Sequence, residues 1–179
     1  MKVLQAIFLC FLLAPAAALG RDKSARLPGA VKSALNKKFP GWRFSEVSGE
    51  VQQFLRERHP GARPNLIEGD FDGNRQTDYA VLIEHGNFDR RGKSFSRVVE
   101  LLAFLRRGSG YKLFNLERTS PANPELYLTL ARKGAEGFDF HADRKFRYPN
   151  DSIGFDYFGK AGGTYIYRRG RFRYVYESD

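Results

Sequence analysis

The chain has 179 residues, and its 30 Lys and Arg against 20 Asp and Glu give a formal net charge of +10. Such a balance favours anionic partners (nucleic acid, phospholipid headgroups, acidic polysaccharide), although charges scattered without a long Lys/Arg run equally suit a solubilising surface. Its one cysteine, Cys10, lies in the apolar opening stretch, so the rest of the chain has no disulfide, thiol nucleophile or cysteine-ligated metal.

In residues 1–20, Lys2 precedes an apolar run, then Pro15 and the small residues Ala16, Ala17, Ala18 and Gly20. This is the order of a secretory signal peptide, cleavable after Gly20 or Ala18, and it predicts a secreted or periplasmic protein. Interrupted by Gln5 and Pro15, the run is too short to span a membrane. Residues 21–27 read as a polar leader, and residues 28–179 as a single α+β domain.

Pro28 opens a short helix whose apolar stripe is Val31, Leu35 and Phe39. Pro40 and Gly41 stop it, and Trp42, Phe44 and Val47 lead through a strand-like piece. A second helix starts at Ser48, carries Val51, Phe54 and Leu55, and ends at His59 and Pro60. Beyond Pro64 the period becomes two, and strands are predicted at 65–68, 79–84, 97–105, 111–116, 126–131, 138–141, 153–158, 164–168 and 171–177. Gly108 to Gly110 and Arg169-Gly170 read as hairpin turns, as does Gly162-Gly163; Phe88 to Ser96 reads as a surface loop. The expected architecture is two short N-terminal helices packed on a largely antiparallel sheet.

Between the first two predicted strands lies Asp70-Phe71-Asp72-Gly73-Asn74-Arg75-Gln76-Thr77-Asp78. Counted from Asp70, side-chain oxygens fall at positions one, three, five and nine: Asp70, Asp72, Asn74 and Asp78. With the Gln76 carbonyl at seven, such a turn can wrap calcium, a hard cation that takes six to eight oxygens. The alternative is an Asp/Asn-rich turn whose side chains bond nearby amides. The stretch resembles the calcium loop of FG-GAP and VCBS repeat proteins, in which an acidic turn leads directly into an apolar strand. That resemblance implies Ca2+ held by Asp70, Asp72, Asn74, Gln76 and Asp78. Arg75 stands where glycine is usual at position six, and Val81 at position twelve argues against an EF-hand. Upstream, Ala34 to Phe44 resembles the opening of PepSY-type exported modules, where a short helix ends at a Pro-Gly turn and enters a strand.

The histidines, His59, His85 and His141, are far apart in sequence, and no short ligand pair suggests zinc. Glu84, His85 and Asp89 form a conceivable acid–base group, with an ordinary strand end as the alternative. No nucleophile elbow, Ser-x-x-Lys pair or phosphate-cradling glycine loop occurs, although a hydrolase whose carboxylates meet only in the fold would leave no such trace. Near the C-terminus Phe172, Tyr174 and Tyr176 alternate with Arg171, Arg173 and Val175. Either this hairpin is a basic, aromatic face binding anionic polymers (polysaccharide or nucleic acid) through Arg171 and Arg173, or its rings are core and its arginines face water.

Overall fold

The computed structural model describes residues 27–86 and 97–178. The predicted signal peptide, all but the last residue of the leader, and the loop containing Asp89 lie outside them. The order is α1 (Gly29–Lys38), β1 (Arg43–Phe44), α2 (Gly49–Arg58), β2 (Leu66–Gly69), β3 (Asp78–His85), β4 (Val98–Arg107), β5 (Gly110–Thr119), β6 (Leu126–Ala131), β7 (Glu136–Asp139), β8 (Arg144–Arg147), β9 (Ser152–Tyr157), β10 (Gly162–Arg168) and β11 (Arg171–Ser178). It is an α+β fold with two short helices on antiparallel sheet.

The strands divide between two principal sheets. In the first, β3 pairs with β4 and β4 with β5, while β1 and β2 share the other edge of β3; the second runs β11-β10-β9-β6. The sheets face each other across Phe71, Ala80, Leu82, Leu101, Ala103 and Leu105 on one side and Leu126, Leu128, Ile153 and Tyr165 on the other. On the outer face of the first sheet, Val31 and Leu35 of α1 and Phe39 just beyond its end bury Val81, Ile83, Leu102 and Phe104. Strands β3 and β4 are therefore covered on both faces, so residues 80–83 and 101–105 are continuous apolar runs and depart from the period of two expected beyond Pro64.

The α2 helix does not join α1. Its Val51 and Leu55 pack with Tyr127 of the second sheet and with Phe54 and Phe158. Its start is as expected: the Ser48 hydroxyl accepts from the Val51 amide at 3.2 Å. The β7–β8 hairpin forms a separate two-stranded ladder. Gly162-Gly163, expected to turn a hairpin, instead lies within β10 at a register shift. A Cβ on Gly163 would stand 2.3 Å from the Val175 carbonyl, so close approach of the neighbouring backbone demands glycine there. Among the described residues no helix is long and apolar enough to cross a membrane.

Candidate metal centre

The β2–β3 connection starts beyond the Gly69–Asp78 pair that ends the ladder. Phe71, fully buried between the sheets, pins it to the core. Three amides of the turn are taken by three of the predicted side chains. Asp70 Oδ2 accepts from Arg75 N at 2.9 Å, Asp72 Oδ1 from Asn74 N at 3.1 Å, and Asn74 Oδ1 from Gln76 N at 2.7 Å. Asp78 closes the turn by accepting from Phe71 N at 2.9 Å and from Arg106 N, on β4, at 2.7 Å.

These bonds require two left-handed residues, Gly73 at φ 81° and Arg75 at φ 65°. Gly73 reaches that conformation without strain, and a Cβ there would also push the Asn150 side chain aside. Arg75 adopts the conformation that glycine takes more cheaply, so the turn closes at a cost in backbone strain.

One carboxylate oxygen from each of Asp70, Asp72 and Asp78 lies within 4.8 Å of the other two, an arrangement that can hold a metal ion. Asp78 is wholly buried and the Asp72 side chain is 3 % exposed. Burial pushes the Asp78 carboxyl up to about 6; the charges of Asp72 and Asp70 add to this, and the two amide donors oppose it. Asp70 Oδ1 is buried and has no hydrogen-bond partner among the described residues. Gln76 enters through its amide, while its side chain is exposed.

Sequence reasoning missed what surrounds the turn. Arg107, at the end of β4, pairs with Asp72 Oδ2, and that bond is the chief reason its own pKa is raised. Asn74 Nδ2 donates to the Arg106 carbonyl at 3.1 Å. From the loop just before β9, Asp151 accepts the Asp70 amide at 3.2 Å and the Lys133 amide at 3.0 Å. No local signal announces these partners, since each comes from a distant strand or loop.

The other candidates are distributed differently. Glu84 is engaged by Arg43 and Arg97. His85 Nε2 lies 3.3 Å from Glu100 Oε1, so Glu84 and His85, neighbours on one strand, serve different partners. On the C-terminal hairpin, Tyr167, Phe172 and Tyr174 pack against the inter-sheet core, whereas Arg171 and Arg173 are exposed. Compared with family models, curated proteins and solved structures, the chain matches none of them.

Proposed function

We propose that the 70–78 turn binds calcium and that the protein is a calcium-stabilised binding or structural module acting outside the cytoplasm. The observation that carries this reading is Asp70 Oδ1, a buried carboxylate oxygen without a partner among the described residues, in a turn whose other carboxylate oxygens hold it closed or pair with Arg107. Leaving that oxygen dry and unpaired is costly, and a cation in the carboxylate triangle would remove the cost. The donors are all oxygens, which suits a hard cation. The crowded turn favours calcium over magnesium, which is smaller and sheds its water reluctantly. Arg107 compensates only Asp72, so Asp70 and Asp78 remain for the ion to neutralise.

Unfolding followed by Trp42 fluorescence tests the proposal, since that indole is half-buried, donates to Asn36 and packs edge-on against Phe44. With a Kd of about 10⁻⁴ to 10⁻³ M, typical of extracellular sites, about 10 mM calcium adds roughly 1.4 to 2.7 kcal/mol. This corresponds to several degrees in Tm. Asp70→Asn should abolish most of the gain and magnesium should reproduce little of it. Equal midpoints in calcium and in chelator would refute the proposal.

A further inference from the structure

Two grooves meet along the β10–β11 hairpin. One, of about 260 Å³, lies against the β7–β8 hairpin and has Arg144, Arg168 and Arg173 in its walls. The other, of about 570 Å³, runs towards the metal loop and is walled by Arg168, Arg169, Arg173, Tyr167, Asn150 and Asp72. Arg168 and Arg173 belong to both, so the grooves form one continuous track with cations along its middle.

The strand register explains the convergence. Arg168 pairs with Arg171 and Ile166 with Arg173. Directly paired residues share a face of an antiparallel ladder, so Arg168, Arg171 and Arg173 stand on the side opposite Tyr167, Phe172 and Tyr174. Arg43, Arg63, Arg97, Arg107, Arg118 and Arg132 each pair with a carboxylate. Among the described residues Arg144, Arg168, Arg169, Arg171 and Arg173 form no such pair; Arg56, Arg58, Arg75, Arg106 and Arg147 form none either, but they line neither groove. Of the two carboxylates in the groove walls, Asp72 is paired with Arg107, and Asp139, whose Oδ1 accepts the Ala142 amide, offsets one of the cations and leaves the track in cationic excess.

Arg169 adds an independent sign. It occupies the first position of a two-residue turn at φ 51°, followed by Gly170 at φ 83°. That turn favours Asn or Gly at its first position, so a long cationic residue there is strained without local benefit.

We propose that this track binds a linear acidic polysaccharide, with the arginine forks engaging its carboxylate or sulfate groups. Charge complementarity selects a polyanion, and the rings decide which kind. Single-stranded nucleic acid is gripped by aromatic faces open to stacking bases. Here Tyr167 packs edge-on against Phe114 and Phe172, Phe146 against Tyr148, and Tyr174 against Tyr176, while Tyr174 also packs at a tilt against Tyr165. The exposed rings Phe138, Phe140 and Tyr176 line neither groove.

The test uses heparin and de-esterified polygalacturonate as probes at about 0.15 M salt, where bulk attraction is screened. It is run in chelator, so that its outcome is separate from that of the calcium proposal. Wild-type protein should bind, and Arg168→Gln/Arg173→Gln should bind about tenfold or more weakly through loss of charge-assisted contacts. Arg169→Asn should bind more weakly too, while its Tm stays level or rises, which separates lost contacts from lost folding. Arg56→Gln/Arg58→Gln, with the same change in charge on α2, should bind as wild type does. Equal loss in that control, no binding at this salt, or equal competition by a thymidine oligonucleotide of about 20 residues would overturn the proposal.

Discussion

Asp156→Asn removes a half-buried negative charge without altering side-chain shape. Asp156 sits on β9, where Thr129 Oγ1 donates to its Oδ2 at 2.8 Å, a bond that an asparagine oxygen also accepts, more weakly than a carboxylate does. Burial, reinforced by the charge of Glu177, pushes its carboxyl from an ordinary 3.8 up to about 6, against the opposing effects of Thr129 and His59. A folded-state pKa above the unfolded one means that the native protein holds the proton more tightly. Stability therefore falls as pH rises from about 4 to about 6, and the whole cost is present at pH 7. At about 1.4 kcal/mol per pH unit over that window, the cost is about 3 kcal/mol, an upper value because water still reaches part of the side chain. Asp156→Asn should be more stable than wild type by up to about 3 kcal/mol at pH 7, or up to about 6 to 12 °C in Tm. The difference should shrink to about 0.5 kcal/mol at pH 4, where Asp156 is protonated in the folded state. Paired urea titrations at the two pH values measure it, and Glu177, present in both proteins, cancels. A variant no more stable at pH 7, or equally favoured at pH 4, would refute the assignment of the cost to a buried charge.

Arg75→Gly should relieve the left-handed backbone at the metal loop and raise stability in chelator by about 1 kcal/mol, measured by thermal unfolding. A loss of stability would show that the Arg75 side chain contributes more than its backbone costs. Arg107→Gln should leave Asp72 without its cation and lower stability in chelator by about 1 to 2 kcal/mol. Calcium should restore most of that loss, because the ion takes over the role of the guanidinium. The same deficit with and without calcium would place the effect of Arg107 outside the metal loop.

Elements whose signal is local could be read in advance. The helix starting at Ser48 depends on a hydroxyl three residues from the amide it caps, and the Arg169-Gly170 turn on a glycine that accepts positive φ. The spacing of Asp70, Asp72 and Asp78 likewise placed three carboxylates in one short connection, which the fold draws within 4.8 Å. Gly162 and Gly163 misled for the opposite reason, since glycine also serves where a neighbouring backbone comes close, and only the β11 carbonyl at Val175 distinguishes the two uses. Period-two patterning predicts strands but says nothing about which sheet each one joins. The division into two facing sheets, and the docking of α1 and α2 on different ones, follow from long-range burial of faces that look alike in sequence. The same holds for charge. The sequence alone determined an excess of cations, a signal-like opening and an acidic turn. Tertiary structure decided that Arg107 caps Asp72 and that Arg144 joins Arg168, Arg169 and Arg173 along one track. Electrostatic partners are chosen by distance in space, and strand pairing sets that distance between residues far apart along the chain.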